Sequence, residues 1–175
     1  MCGIAGVIYR NAPGAEKLRA AMEHFRAAIQ HRGPDDFGIH VGERMAFLNR
    51  RLSIIDIAGG HQPIYNSDKT IGIVYNGEVY NYLELRESLA AQGCTFKTNT
   101  DTEVVLRLYE QFGEEAFARL EGMFAICIWD ERRGTVYLVR DSFGMKPLYV
   151  YRDPERLLFC SELSAILALP GVDRT

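Results

Sequence analysis

Nothing in these 175 residues reads as a membrane span, because no stretch approaches the roughly 18 consecutive apolar residues that a transmembrane helix needs. The start of the chain also lacks the basic and apolar segments of a secretory signal, so the expected compartment is the cytoplasm, with no membrane partner. Positive charge is not concentrated anywhere. The 20 Lys and Arg face 23 Asp and Glu for a net charge of -3, and no long basic cluster offers a groove to nucleic acid. Cysteine is sparse: Cys2, Cys94, Cys127 and Cys160 are too far apart to form the close pairs of a metal or redox site, and no metal is expected. Internal repeats and low-complexity linkers are lacking as well, so residues 1–175 are expected to form one domain with its own core. Neither a Ser-Gly-Gly-x-Asp-Ser phosphate loop nor a Walker loop occurs.

What is present is an apolar share of 47%, divided into short runs. Met1 to Tyr9 reads as a buried strand with Cys2 at its leading end. From Ala15 to about His31, the positions Leu18, Ala21, Met22, Phe25, Ala28 and Ile29 recur at helical spacing, and Gly33 and Pro34 suit a left-handed cap and a stop. Strands are expected near Phe37 to Val41, Met45 to Leu48 and Thr70 to Tyr75. Asn76-Gly77 is a common hairpin turn, but helix-like sequence from Asn81 to Gln92 follows it, with Glu84 three residues past the expected cap. Thr100 to Glu103 matches a capping box ahead of a helix bearing Val104, Val105, Leu108, Tyr109 and Phe112. Gly122 to Trp129, Val136 to Val139, Leu148 to Tyr151 and Leu157 to Cys160 suggest an antiparallel meander, and Ser161 to Leu169 a closing helix. Continuously apolar strands need cover on both faces, which predicts an α+β fold of two packed sheets between helix layers.

Four polar features call for a joint explanation: Cys2, Arg51, Asn76-Gly77-Glu78 and Asp101. If Met1 is removed, Cys2 carries a thiol and a free α-amine, whose pKa of roughly 7.7–8.0 leaves about a tenth or more of it neutral at pH 7. Nucleophile and general base are then parts of one residue. A side-chain amide beside a glycine N–H is a plausible oxyanion hole. Arg51 offers a fork for a carboxylate, and Asp101 at a helix start could receive an ammonium. A carboxylate, an ammonium and a reactive amide describe free glutamine; asparagine fits the same description.

Cys2-Gly3-Ile4, His31-Arg32-Gly33-Pro34-Asp35, Arg51-Leu52-Ser53-Ile54, Asn76-Gly77-Glu78-Val79-Tyr80-Asn81, Asp101-Thr102-Glu103, Leu120-Glu121-Gly122-Met123-Phe124-Ala125 and Arg140-Asp141-Ser142-Phe143-Gly144-Met145-Lys146-Pro147 occur in that order. Together they resemble the class II glutamine amidotransferases, in the branch of the glutamine-hydrolysing asparagine synthetases. The resemblance implies a four-layer αββα sandwich of two mainly antiparallel sheets, of the N-terminal-nucleophile hydrolase kind. It implies that Cys2 is the nucleophile, Asn76 and Gly77 the oxyanion hole, and Arg51, Glu78 and Asp101 the holders of L-glutamine, with backbone of Leu52, Ile54 and Ile55 lining the pocket. No cofactor is implied for glutamine hydrolysis. ATP and Mg belong to a C-terminal synthetase domain or subunit that is absent from this chain and would be its partner; a homo-oligomer is a further possibility.

Two other readings stay open on the residues alone: a different N-terminal-nucleophile amide hydrolase, and a non-catalytic glutamine-binding or interaction module. A conventional Cys-His pair would draw on His24, His31, His40 or His61.

Overall fold

Strand β1 (Gly3–Tyr9) shows why both faces of the sheet must be covered. Its side chains alternate: Ala5, Val7 and Tyr9 pack on one side, while Ile4 and Ile8 pack on the other. The computed structural model, which describes residues 1–52 and 59–174, resolves this into four layers. β1 lies at the centre of a five-stranded antiparallel sheet, flanked by β3 (Met45–Arg51) and β9 (Arg156–Cys160), with β2 (Asp36–Val41) and β8 (Tyr149–Arg152) outermost. The second sheet, also antiparallel, has the order β4 (Ile64–Tyr65), β5 (Ile71–Val79), β6 (Gly122–Asp130), β7 (Thr135–Arg140). Between the sheets lie Ile4, Phe47, Val74, Ala125, Cys127, Trp129 and Phe159.

Helix α1 (Ala15–Ala28) covers the first sheet with the stripe expected from its spacing. Leu18, Met22 and Phe25, with Ile29 just beyond, are fully buried, which stabilises the layer by roughly 1.5–3 kcal/mol per side chain. The short α4 (Leu163–Leu167) joins it, narrower than the expected span from Ser161 to Leu169. α2 (Tyr82–Ala91) and α3 (Asp101–Phe112) cover the second sheet.

Four local expectations need correction. Gly33 is not a left-handed cap, having φ -145 after a single 3-10 turn at Gln30–Arg32. It is small because a Cβ there would sit 2.4 Å from the backbone of Arg50 and Arg51, so the His31–Pro34 turn lies directly against the end of β3. Asn81 precedes α2 without capping it; its side chain instead bridges the Arg119 carbonyl and the Glu121 N–H. The capping box of α3 is half made. Thr100 accepts the Glu103 N–H at 3.2 Å, but the Glu103 carboxylate turns to the N–H groups of Lys97 and Thr98. Finally, the last four strands are two hairpins in different sheets rather than one meander. Asp141 causes the crossing: its carboxylate gathers the N–H groups of Phe124, Met145 and Lys146 and turns the chain out of β7 toward the other sheet.

Candidate functional site

Six of the residues selected from sequence line one cleft of about 160 Å³: Cys2, Arg51, Leu52, Gly77, Glu78 and Asp101. They reach it because strand ends of both sheets converge there. Cys2 stands just before β1, Arg51 ends β3, Gly77 and Glu78 lie near the end of β5, and Asp101 opens α3. Asn76 is 2% exposed on β5, facing the space between the sheets like Val74 two residues earlier, and its buried Nδ2 has no partner among the described residues. Ile54 and Ile55 fall outside the described residues. A larger cavity, about 510 Å³, opens at the opposite end of the sandwich beside Tyr9, Arg44 and Asp130, away from all these groups.

The thiol of Cys2 lies against the Leu52 backbone. The Leu52 N–H donates to Sγ at 3.4 Å and the thiol faces the Leu52 carbonyl at 3.6 Å. None of the four histidines is hydrogen-bonded to Cys2. His24 meets the Ala165 carbonyl, His31 meets Glu162, His40 meets Tyr65 and His61 meets Asp36. The buried thiols of Cys127 and Cys160 are pushed up by desolvation, Cys160 to about 12, which suits inert core residues.

Strand β5 runs straight through Asn76-Gly77-Glu78 without a hairpin. The N–H and carbonyl of Phe124, opposite Gly77, are both engaged by Asp141 on the β7 side. The Gly77 N–H therefore points away from β6, as do those of Tyr75 and Val79 by the period of the strand. Tyr75 gives its N–H to Gln62 Oε1 at 2.7 Å, and Val79 gives its N–H to Asp101 Oδ2 at 3.1 Å. Gly77 lies between them, facing the cleft. Any side chain at Gly77 would collide with β6, since a Cβ would stand 2.2 Å from the Met123 carbonyl oxygen.

Asp101 is 5% exposed and accepts three hydrogen bonds, which leaves acceptor capacity on Oδ1. It accepts the Tyr75 hydroxyl at 2.6 Å and the Val79 N–H, and its other oxygen accepts the Thr102 N–H at 2.8 Å. Burial, reinforced by the Asp101 carboxylate, pushes the Tyr75 phenol well above its ordinary value, so it stays a donor. Glu78 is exposed at the mouth, and Arg51 is buried with its backbone carbonyl accepting from Asp35.

Sequence reasoning missed Gln62, Tyr75, Thr100 and Thr102 on the cleft wall, and above all Arg32. Arg32 is 8% exposed; its Nε donates to the Cys2 carbonyl at 2.9 Å and its Nη1 to Glu162 at 2.6 Å. The helix-stop explanation of His31-Arg32-Gly33 hid that contact. A basic residue so close to a glycine and proline turn was the available signal, but nothing local points to residue 2. Among the described residues no cluster of His, Cys, Asp and Glu could hold a metal ion, and no helix is long and apolar enough to cross a membrane.

Residues 1–175 match the family described as the glutamine amidotransferase domain. The chain is 43% identical over 169 residues to asparagine synthetase (glutamine-hydrolyzing) 1 of Bacillus subtilis strain 168, covering 95% of this chain and 27% of that protein. It is 38% identical over 167 residues to asparagine synthetase (glutamine-hydrolyzing) 3 of Arabidopsis thaliana, covering 95% of this chain and 28% of that one. It thus spans less than a third of the length of either relative. The solved structure of glutamine phosphoribosylpyrophosphate amidotransferase from B. subtilis, complexed with ADP and GMP, superposes with a TM-score of 0.74 at 20% identity. That match covers 94% of this chain and 43% of the other, and the two share the fold of two packed sheets between helices.

Proposed function

This chain belongs to the glutamine amidotransferase domain family, and from that premise we propose that it hydrolyses the side-chain amide of L-glutamine to glutamate and ammonia, with Cys2 as the nucleophile. The observation that carries the reading is the convergence of the Cys2 thiol, the Gly77 backbone, Arg51 and Asp101 on one small cleft, with the unpartnered Nδ2 of Asn76 buried beside Gly77. At about 160 Å³ that cleft is below the roughly 300–1,000 Å³ of most small-molecule sites, a scale suited to one free amino acid.

In this reading Met1 is removed and the α-amine of Cys2 takes the thiol proton. The sulfur attacks the amide carbon of glutamine, forming a C–S bond and an oxyanion that accepts from Asn76 Nδ2 and the Gly77 N–H. The C–N bond breaks, ammonia leaves with the proton returned by the amine, and water hydrolyses the thioester. Arg51 pairs with the α-carboxylate of the substrate, and Asp101 and Glu78 face its α-ammonium. Cys2→Ala should abolish glutamate release while leaving the fold unchanged. Undiminished release by that variant would overturn the proposal, and equal turnover of glutamine blocked at its α-amine would favour a general amide hydrolase.

The ammonia is consumed, in this proposal, by an ATP- and Mg-using synthetase portion that makes asparagine and docks over the cleft. Surface composition supports that docking face. The exposed apolar side chains Phe37, Tyr80, Phe143, Met145 and Leu163 all flank strand ends on the Cys2 side, with Phe143 91% exposed. The opposite end carries Glu43, Arg44, Glu131, Arg132 and Arg133 instead. Unpartnered apolar area of this kind marks an interaction surface. A cytoplasmic location goes with the four free cysteines.

A further inference from the structure

We propose that Glu162 is a positioning residue for the nucleophile, acting through Arg32; the inference rests on the reading of Cys2 as that nucleophile. Cys2 lies outside the sheet ladder, whose register on β1 begins at Gly3 opposite Arg50 and at Ala5 opposite Cys160. With its α-amine free, as the proposed reaction requires, the residue is held from its carboxyl side alone. Its carbonyl is then the backbone handle, and the donor to it is Arg32 Nε.

The guanidinium of Arg32 has little else to hold it. Nη1 is paired with Glu162 Oε1 at 2.6 Å, and the buried Nη2 has no partner among the described residues. Among the described residues Glu162 is the carboxylate that Arg32 pairs with. A charge-assisted bond of this length is roughly twice as strong as a neutral one, so the carboxylate fixes the plane of the guanidinium and thereby the direction of Nε. The same pairing, foremost, holds the Glu162 carboxyl below the usual range.

Glu162 is itself placed by the neighbouring residue. Ser161 clasps Ile4 on both backbone groups, its Oγ accepting the Ile4 N–H at 3.0 Å and its N–H donating to the Ile4 carbonyl at 2.8 Å. The dipeptide Ser161-Glu162, at the junction of β9 and α4, thus grips the nucleophile's strand twice: directly at Ile4, and at Cys2 by way of Arg32. Exposed His31 reaches the same carboxylate oxygen at only 3.4 Å. Glu162 stands at the start of α4, outside the lining of the cleft that holds Arg51 and Asp101, so loss of the brace should alter attack rather than substrate binding.

The test uses Met1-free protein, verified by mass, in steady-state glutamine hydrolysis. A misplacement of about 1 Å costs on the order of a hundredfold in rate, so Glu162→Ala should lower kcat by roughly ten- to a hundredfold with KM within about twofold. Glu162→Gln keeps an amide oxygen for Nη1 and should stay within about threefold of the parent, because a neutral acceptor forfeits only part of the bond. If the alanine variant does not fold, Glu162→Asp replaces it: it preserves charge but falls short of Arg32, and the same loss of kcat is expected. The proposal is overturned if the folded alanine or aspartate variant keeps its kcat, if KM rises while kcat holds, or if glutamine at 162 is as damaging as alanine. A parent protein without glutaminase activity would instead refute the assigned function.

Discussion

Asn76→Ala separates chemistry from stability more sharply than any other change at the site. Asn76 is only 2% exposed, and its buried Nδ2 has no partner among the described residues. Leaving a buried donor unsatisfied costs roughly 1–3 kcal/mol, so the native fold carries that penalty in the absence of substrate. In the proposed reaction the same donor serves the oxyanion; removing one such donor typically raises the barrier by about 2.7–4 kcal/mol, or roughly 10²–10³ in kcat. Truncation to alanine removes both effects together. Relief of the unpaired donor offsets the packing lost with the side chain, so the melting temperature should stay within about 4 °C of the parent or rise, given about 2–4 °C per kcal/mol for a chain of this size. Glutamate release and thermal unfolding, measured on the same Met1-free preparation, check both halves. A loss of less than tenfold in kcat would refute the oxyanion role. A large fall in melting temperature would refute the claim that the amide is held unsatisfied for catalysis.

An N-terminal extension that survives purification should eliminate glutamate release without lowering stability, because the α-amine of Cys2 is then an amide; activity in protein shown by mass to carry the extension would exclude the amine as base. Gly77→Ala places a methyl group 2.2 Å from the Met123 carbonyl oxygen, and the β5–β6 pairing must shift to relieve it. A loss of about 1–3 kcal/mol in urea unfolding is expected together with loss of activity, and a fully stable, active variant would contradict the geometry. Asp141→Asn bears on pH. Burial alone would raise the Asp141 carboxyl, but the backbone donors of Lys146, Met145, Phe124 and Phe143 outweigh it and lower the native value below 3.8. The native state therefore binds that proton less readily than the unfolded chain, and the stability it contributes is present above the unfolded value and lost as pH falls through the native one. The gap between parent and variant in urea unfolding should be widest near neutrality and close below about pH 3.8. An unchanged gap across that window would show that the carboxylate charge is irrelevant.

The layers of the fold were legible because burial writes period into sequence. Leu18, Met22 and Phe25 mark α1 at spacings of three and four, and the unbroken run of β6 requires cover on two faces. Strand partners were less legible. Nothing within Leu148 to Tyr151 says that β8 pairs with β9, in the sheet of β1, rather than with β7; the deciding group is Asp141, whose three backbone contacts form only once the chain has turned. The site divides in the same way. Cys2, Asn76, Gly77 and Asp101 carry chemistry in their residue types, and Arg51 in its fork of donors. Arg32 and Glu162 act at long range, 30 and 160 positions from Cys2 along the chain, and each has a complete local explanation as a helix end or helix start. A residue with a sufficient local reason to exist gives no hint of a distant one.

The open edge of β5 shows how one strand serves both structure and chemistry. An edge presents a row of unpaired backbone groups, which folded proteins must cover or blunt. Here the cover comes from side chains. Gln62 takes the Tyr75 N–H, Asn49 donates to the Tyr75 carbonyl, and Asp101 takes the Val79 N–H. Gly77, midway between, is the position where such cover would also block the cleft. With its neighbours fixed on both sides, the N–H direction at Gly77 is set before any substrate arrives, which is the preorganisation that makes an oxyanion donor effective. In the proposed reaction Asp101 is thus tied to catalysis in two ways, through the substrate ammonium and through the strand that aims the Gly77 N–H. Loss of its carboxylate should therefore lower kcat as well as raise KM, whereas a residue that only held the ammonium would affect binding alone.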